Sequence, residues 1–574
     1  MLKTVLLDSL MAPSLETWEL LDAPLPAVAA VGSVAATAAV NPVGDNGDHA
    51  MLADVARSTY KLDGTGIKVG ILSDSFNVRG GYAADIRSGA LASGVTVLKD
   101  GPAGGADEGR AMAELVHKVA PGAQIAFYSA FNGETDFAAG ILALAKAGCT
   151  VIVDDVSYLD EPFFQDGNVI QKAVTQVVAS GVNYFTSASN EGTNFYQHAF
   201  AGVKLALPGV TGSYLVQNFG TSANPSGTES LTIAKGSSVS LDLQWDQPFA
   251  NIGKGHASAD SLGMVLYDAG GHVVAAAMQN ETGGNPSQIL QFTNTTGAAT
   301  FKLAIITNGG SVAPGLFKFI AYGQGTTIND PNAGIGSGTV AGHELVAGAN
   351  TVGAIAANNT QANGGSSVIE GFSSVGPGTL LFDVGGNRLA APIVENKVNF
   401  VAPDGVTTSV FSTFYGTSAA APDAAAVAAL MLQANKALTP AQVSSMLAGS
   451  AIKVSGPAGS TGAGLIQATT AVKSALAGRA AGATLTKAVT SIAPSSTSWG
   501  TQGFSSGVKS GGAVASALAG LAADPTAAAD FVAQIDPAIA AGLPAAPAYG
   551  QSFAMLNSAG AMVVPIMTDQ SPPI

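Results

Sequence analysis

The chain has 574 residues, of which 11% are charged and 47% hydrophobic, and it carries a net charge of −15. A chain of this length typically forms about three or four domains. The composition, with 71 glycines, excludes charge-driven disorder and indicates a globular, loop-rich protein. The acidic balance without a basic stripe argues against a nucleic-acid partner, because phosphate binding needs clustered Lys and Arg.

The N-terminal region is rich in Ala and Pro, and we expect residues 1–48 to form a leader or a loosely ordered arm. Asp8 interrupts the apolar run that follows Lys3, so this run makes a poor signal peptide. The weakly apolar stretch 28–40 is too short to cross a bilayer. No membrane span is therefore predicted, and the lone Cys149, in an apolar stretch, is expected to be a small buried side chain.

From Gly66 the pattern becomes regular, with apolar strands alternating with amphipathic helices. The strands lie at 67–72, 151–153 and 182–185, and the helices at 109–120 and 171–179. Strands buried on both faces that alternate with helices predict an α/β fold with a doubly wound parallel sheet. Its first part is expected to span 49–204.

A different pattern follows between about 205 and 325, where short alternating runs are separated by Gly- and Asn-rich turns. Evenly spaced short strands of this kind predict an inserted β-sandwich. The α/β pattern then resumes over 326–474, with a strand at 351–356, an Ala-rich helix at 419–433 and a helix start at Thr439-Pro440. Residues 475–574 are predicted to be an Ala/Gly/Ser-rich extension, with an amphipathic stretch at 527–535.

Three polar residues stand where chemistry is expected. Asp74 ends an apolar strand, and ligands of open parallel sheets bind at the carboxyl ends of strands. Asn190 follows another strand, where its amide can donate to a developing oxyanion. Ser418 lies at the start of the Ala-rich helix, in the positive field of the helix N-terminus. Taken alone, Asp74 also fits a loop cap and Asn190 a turn, whereas the nine-residue context of Ser418 disfavours a helix N-cap.

The segment Gly416–Pro422, GTSAAAP, resembles the GTSxxxP nucleophile motif of the subtilase superfamily of serine peptidases. Segments 353–356, 372–377 and 401–403 resemble the strand and loops that precede that motif in the family. The resemblance covers about 50–200 and 340–470 in the family's order. It implies a subtilisin-like fold and a serine endopeptidase that acts on protein or peptide substrates.

The resemblance also implies roles for single residues. Ser418 matches the nucleophile that forms the acyl-enzyme, Asp74 the triad aspartate of subtilisins, and Asn190 their oxyanion asparagine. Ser157 and Tyr158 align with the edge strand that pairs with the substrate backbone, and are expected to bind substrate. We expect the protein to be secreted or at the cell surface. Because no clear signal peptide is present, export by a route without a cleavable N-terminal signal stays open.

The chain departs from subtilisins at the catalytic base. Where they carry a histidine, at the start of the helix after the aspartate strand, this chain has Glu108. Sedolisins use a glutamate there, but they take their aspartate four residues later, where this chain has Met112. Glu108 is thus the predicted general base. A carboxylate base favours acid, because Glu titrates near about 4.3 and His near about 6.5, unless burial beside Asp74 raises the pKa of Glu108.

Other readings stay open. His117, His198 and His343 are alternative bases, and a site without a base would leave a catalytically silent peptide-binding or surface protein. No cofactor or metal is predicted, although Asp160, Glu161 and Asp166 could offer oxygen ligands to calcium. Arg110 is expected to balance the adjacent carboxylates, and so to lower the pKa of Glu108.

Overall fold

The computed structural model describes residues 46–212, 214–310, 315–329 and 337–491, with side chains up to 479, and the strands Met555–Leu556 and Met562–Val563. The chain divides into two compact units, Met1–Lys487 and Ala488–Ile574. In the second unit those two strands pair antiparallel. The predicted arm up to residue 45 and the stretch 527–535 lie outside the described residues.

The helices are α1 (Asn46–Ala50), α2 (Ala53–Tyr60), α3 (Tyr82–Ser88), α4 (Glu108–Val119), α5 (Glu134–Lys146), α6 (Val169–Ala179), α7 (Thr417–Ala434), α8 (Pro440–Ser450) and α9 (Ala468–Ser491). The strands as far as the end of the insertion are β1 (Lys68–Ser73), β2 (Thr96–Lys99), β3 (Gln124–Ser129), β4 (Val151–Asp154), β5 (Asn183–Ser187), β6 (Phe195–Ala199), β7 (Gly202–Val203), β8 (Val216–Gln217), β9 (Glu229–Ile233), β10 (Ser238–Trp245), β11 (Asp260–Tyr267), β12 (Val273–Ala277), β13 (Ser287–Thr293), β14 (Thr300–Gly310), β15 (Leu316–Tyr322) and β16 (Thr326–Ile328). They are followed by β17 (Asn350–Ala356), β18 (Gly378–Phe382), β19 (Arg388–Glu395) and β20 (Phe400–Asp404).

A parallel sheet of seven strands, in the order β2-β3-β1-β4-β5-β17-β20, forms the centre of the first unit. All seven carboxyl ends therefore lie at one edge of the sheet. The predicted doubly wound α/β fold is confirmed.

Both faces of this sheet are buried, because side chains along each strand alternate between two apolar clusters. In β1, Val69 and Ile71 belong to the cluster that contains α4 and α7, whereas Leu72 belongs to the cluster that contains α5 and α6. In β4, Val153 and Ile152 divide in the same way. This is why these strands appear in the sequence as continuous apolar runs.

Helix α7 is buried along nearly its whole length, so its alanines face neighbours on every side. It packs against β5, β17 and β20 and against α4. The helix begins at Thr417, slightly before the predicted 419, which places Ser418 in its first turn. The predicted start of α8 is also confirmed, with the Thr439 side chain accepting a hydrogen bond from the Gln442 N–H.

Two antiparallel sheets occupy residues 195–328. One has the order β13-β10-β15-β6, and the other runs β12-β11-β14-β8-β7, with β9 joining β14 to β16. Side chains of both sheets, among them Leu241, Phe317, Met264 and Ile305, share one apolar cluster. The first of these strands begins at Phe195, before the predicted 205, and α9 continues across the predicted boundary at 475. The domain limits otherwise stay predictions.

The insertion is bonded to a loop of the parallel-sheet region. Gln244, on β10, accepts a hydrogen bond from the Phe163 N–H at 2.8 Å and donates to the Glu161 carbonyl at 2.9 Å. The Gln165 side chain in turn accepts from the Phe249 N–H at 2.8 Å. The loop 161–165 is therefore held by residues of the inserted sheets.

Enlarging a side chain in the middle of α7 should destabilise the fold. Ala425 is 0% exposed, so Ala425→Leu forces extra methyl groups into a filled interior and should cost about 1–3 kcal/mol. The same change at the exposed Ala441 of α8 should stay within about 0.5 kcal/mol. Urea unfolding midpoints measure both, and equal shifts for the two variants would contradict the close packing of α7.

Candidate active site

Polar residues follow three neighbouring strands at the carboxyl edge of the sheet. Asp74 follows β1, Asp155 follows β4, and Asn190 comes shortly after β5. The first turn of α7 joins them, since the Thr417 N–H and hydroxyl donate to Asn190 Oδ1 at 3.0 and 3.1 Å. The structure thus brings the neighbour of Ser418 into direct contact with Asn190, 227 residues away in the chain.

This contact orients the asparagine. Because an N–H group donates only to an acceptor, Oδ1 faces Thr417 and Nδ2 is the donor end of the side chain. Gly416 makes the approach feasible, with φ +107 and a position where an added Cβ would lie 3.4 Å from Asn190 Nδ2. Ser418 itself is 1% exposed at the N-terminus of α7.

Asp74 is bonded to the main chain rather than exposed to solvent. It is 4% exposed, and its carboxylate accepts hydrogen bonds from the N–H groups of Ser75, Ala106 and Glu108, the last at 2.9 Å. Burial raises the pKa of Asp74, and these N–H donors oppose the rise. Asp74 therefore fixes the residue at which α4 begins, and with it Glu108.

Arg110 forms ion pairs with two carboxylates. Its guanidinium pairs with Asp85 and, at 3.2 Å, with Asp107. Its remaining donors go to the carbonyls of Phe76 and Gly80 and to the hydroxyl of Ser409. These contacts account for all five N–H groups of an arginine. The guanidinium thus pairs with Asp107, one of the two adjacent carboxylates, and with Asp85, while its effect on the pKa of Glu108 stays a prediction.

A small cavity opens beside Glu108 and Asn190. Ser157 also lines it, as do two carboxylates that the sequence reading missed, Asp155 and Glu191. Asp155 Oδ2 accepts a hydrogen bond from the Ser73 hydroxyl at 3.2 Å. Its place at the end of β4 matches that of Asp74 after β1, which is the signal that could have identified it.

Ser157 and Tyr158, predicted to bind substrate, point in different directions. Ser157 lines the cavity, and its hydroxyl donates to Glu344 at 2.7 Å. The Tyr158 side chain is buried, and its hydroxyl donates to the Ala130 carbonyl at 2.5 Å and accepts from the Gly133 N–H at 3.1 Å. Its side chain therefore supports the wall of the site.

The three histidines lie outside the lining of this cavity. His343 is fully buried between Glu161 and Asp154, at 2.7 and 3.1 Å. Although burial lowers its pKa, these two carboxylates raise the pKa of His343 well above its ordinary value. His198 lies on β6 with an exposed ring, and burial lowers the pKa of His117 on α4.

The carboxylates considered for calcium are partly engaged. Glu161 accepts hydrogen bonds from the His343 ring and N–H, each at 2.7 Å, while burial raises the pKa of Asp160 and of Asp166. Within the described residues, no group of His, Cys, Asp and Glu side chains is arranged to hold a metal ion. The expectation of no metal, with calcium as the alternative, stays a prediction. Cys149 is buried, and burial raises the pKa of its thiol to about 12.

A family model described as the subtilase family matches residues 98–465. This chain belongs to the subtilase family. It is therefore a serine protease, and the sheet described above is the subtilisin-like fold. In the part of this subtilase that the structure describes, no helix is long and apolar enough to cross a membrane.

Solved proteases resemble the subtilase chain over most of its length. The CspB protease of Clostridium perfringens is 13% identical, covering 76% of this chain and 98% of that chain with a TM-score of 0.47. A protease of Pseudoalteromonas arctica is 13% identical, covering 76% of this chain and 96% of that chain with a TM-score of 0.34. A cold adapted subtilisin-like serine proteinase is 14% identical, covering 71% of this chain and 90% of that chain with a TM-score of 0.32. A search of curated proteins finds no match.

Asp404 holds the turn that precedes the serine of this subtilase. It ends β20, is fully buried, and its Oδ2 accepts a hydrogen bond from the Gly416 N–H at 2.9 Å. Burial raises the pKa of Asp404 to about 8, against the opposing effect of the Gly416 donor. The carboxyl group is thus protonated in the folded protein at neutral pH.

Replacing this carboxyl should change how stability depends on pH. Because the folded-state pKa is raised, the stabilisation by Asp404 is complete below its ordinary value of 3.8 and is lost as pH rises towards about 8. Over that window the free energy of unfolding of the wild type should fall relative to Asp404→Asn by up to about 1.4 kcal/mol per pH unit.

Urea unfolding between about pH 4.5 and about pH 8 tests this slope. Asp383→Asn is the matched control, since hydrogen bonds from Asn387 lower the pKa of Asp383 and keep it ionised throughout that range. If the free energies of unfolding of the wild type and of Asp404→Asn change with pH in the same way, a protonated Asp404 is ruled out.

Proposed function

We propose that this subtilase is an endopeptidase that cleaves protein or peptide substrates through an acyl-enzyme at Ser418. Glu108 serves as the general base, and Asn190 Nδ2 with the Ser418 N–H stabilises the oxyanion. The observation that carries this proposal is the contact of Thr417 with Asn190 Oδ1. It sets the donor end of Asn190 beside the start of α7, and Asn190 shares a cavity with Glu108.

In the first half of the reaction, Ser418 Oγ attacks the carbonyl carbon while its proton passes to the Glu108 carboxylate. The negative charge that develops on the carbonyl oxygen is held by the Asn190 amide and the helix N-terminus. The C–N bond then breaks, and Glu108 returns the proton to the leaving amine. In the second half, Glu108 takes a proton from a water, which attacks the acyl ester. Glu108 then returns this proton to Ser418 Oγ as the ester C–O bond breaks.

Asp74 acts in this scheme as a positioning residue. Its hydrogen bond to the Glu108 N–H fixes where α4 begins, so the base enters the cavity from a rigid element. The proposal thus differs from a histidine triad, in which the aspartate bonds to the base's own ring. We also propose that the protein acts outside the cell or at its surface, in keeping with its family.

Removing the nucleophile should abolish proteolysis, whereas removing the base should slow it. Ser418→Ala should lose both labelling by a fluorophosphonate and casein hydrolysis. Glu108→Gln keeps the side-chain size but takes up no proton, so its kcat should fall by about 10²–10⁴. The wild type should stay active in acid where an imidazole base is already protonated, since glutamate titrates near about 4.3.

Assays from about pH 3 to about pH 9 on these variants give the answer. His198→Ala, an exposed change on β6, is the control and should match the wild type. A neutral optimum that persists in Glu108→Gln would exclude the carboxylate base. No labelling of a folded protein at any pH would favour the catalytically silent alternative.

Two substitutions at position 190 separate the role of the Nδ2 donor from that of the Oδ1 acceptor, which bonds to Thr417. Asn190→Ala and Asn190→Asp both remove the Nδ2 donor, so each should lower kcat by about 10²–10³ with little change in KM. The aspartate keeps an acceptor for Thr417, and the alanine does not, so thermal stability should fall further in Asn190→Ala. Near-normal kcat in Asn190→Asp would remove Asn190 from the oxyanion site.

A further inference from the structure

The carboxylate of Asp74 is directed at the main chain around the start of α4. Its Oδ1 accepts hydrogen bonds from the N–H groups of Ser75 and, at 2.9 Å, of Glu108, and its Oδ2 accepts one from the N–H of Ala106. In a histidine triad, the aspartate carboxylate instead bonds to the side chain of the base. The bonding of Asp74 therefore leaves open which carboxylate acts on the side chain of Glu108.

The strand order places Asp155 for this role. Strand β4 lies between β1 and β5 in the parallel sheet, so the residue that follows β4 lies between the end of β1 and the loop that carries Asn190. The Ser73 hydroxyl, at the end of β1, donates to Asp155 Oδ2 at 3.2 Å and so fixes this carboxylate at the edge of the sheet. Asp155 and Glu108 line the same small cavity.

Negative charge predominates around this cavity. Within the described residues, its lining includes three carboxylates, those of Glu108, Asp155 and Glu191, together with four serines, and no lysine, arginine or histidine. Carboxylates that share a small site repel one another when all are ionised, so proton uptake by one of them is favoured. A hydrogen bond from a protonated carboxyl to an ionised one is also among the stronger kinds.

We propose that Asp155 is the positioning residue of the catalytic base, and that its carboxylate accepts a hydrogen bond from Glu108 once Glu108 has taken the proton of Ser418. The inference rests on the proposed endopeptidase function and adds the group that acts on its base. The Ser418 O–H bond breaks as Oγ bonds to the substrate carbon, and the proton moves to a Glu108 oxygen. It stays on Glu108, hydrogen-bonded to Asp155, until it passes to the leaving amine.

This arrangement makes Glu108 a stronger base than an isolated glutamate. The charge of Asp155 disfavours ionised Glu108 and favours the protonated form, so Glu108 takes up its proton above the ordinary range near about 4.3. Arg110 directs its positive charge to ion pairs with Asp85 and Asp107. The ionisable groups on the elements around the pair are Asp74 after β1, Asp107 and Arg110 at the start of α4, Asp154 on β4 and Glu191 after β5.

Asp155→Asn removes the charge and keeps the size of the side chain. The weaker base should lower kcat by about tenfold, and the acid limb of kcat/KM should move by about one pH unit towards acid. In Glu108→Gln, adding Asp155→Asn should change kcat by no more than about twofold, because Asp155 acts only through Glu108.

Asp136→Asn is the matched control for these kinetics. It removes a carboxylate of α5 that pairs with Lys99 outside the cavity, and it should keep the rate and the pH profile of the wild type. Asp155→Ser removes the same charge with a smaller polar side chain. It takes the place of Asp155→Asn if that variant does not fold, with the same expected shift of the acid limb.

A stability measurement tests the pair without turnover. In full-length Ser418→Ala protein, the free energy of unfolding with Glu108, relative to that with Glu108→Gln, should fall as pH rises from about 4 to about 6. The reason is that a glutamate whose protonation is favoured by folding stabilises the protein in acid and loses this effect as it ionises. Asp155→Asn should remove this pH dependence.

The two measurements separate this inference from the function on which it rests. The pH-dependent stability difference without proteolysis in the wild type would overturn the proposed function and leave the carboxylate pair. Wild-type kinetics in Asp155→Asn would overturn the pair alone. An equal loss of kcat from Asp155→Asn with and without Glu108 would do the same, since Asp155 would then act independently of the base.

Discussion

The close packing of helix α7 on the parallel sheet is the constraint on which the site depends. A helix lined with alanine can approach strands on one side and α4 on the other without displacing them. That proximity brings Thr417 within hydrogen-bonding distance of Asn190 at the end of β5. Larger side chains along α7 would hold its N-terminus, and therefore Ser418, away from the edge where the strands end.

Buried carboxyls are the second theme of this structure. Asp74, Glu344 and Asp404 are each kept from water and bonded to main-chain N–H groups or hydroxyls. Asp74 lies at the N-terminus of α4, Glu344 lies behind the cavity wall, and Asp404 lies beneath the turn before Ser418. Because deprotonation of a buried acid is unfavourable, the free energy of unfolding of a protein with such groups falls as pH rises.

Local sequence contexts made much of this predictable. The strands and helices of the parallel sheet carry strong apolar periodicity, and Asp74, Asn190 and Ser418 stand beside them in recognisable segments. Their convergence follows from the parallel order of the strands, since carboxyl ends share one edge. The pairing of Arg110 with Asp85 was missed because the two residues lie 25 positions apart in the sequence.

Other features depend on tertiary contacts that no periodicity reveals. Glu344 lies in a short 3₁₀ turn, Gly342–Leu345. Its position at the cavity wall follows from the hydrogen bonds that it accepts from the Ser157 and Ser189 hydroxyls. The Tyr158 side chain turns inward because Ala130 and Gly133 offer backbone partners. Strand β6 was placed within the predicted first part, 49–204, because its pairing partner β15 lies more than a hundred residues further along the chain.

The bonding between Gln244 and the loop 161–165 bears on how this architecture could be altered by evolution or by engineers. An insertion that touches its host only at two chain crossings behaves as a detachable module, free to be exchanged for another. Here the amide of one inserted strand supplies partners to backbone groups of the host. Deleting residues 195–328 would leave those groups unpaired beside Glu161, so the insertion and the host chain are bound to change together.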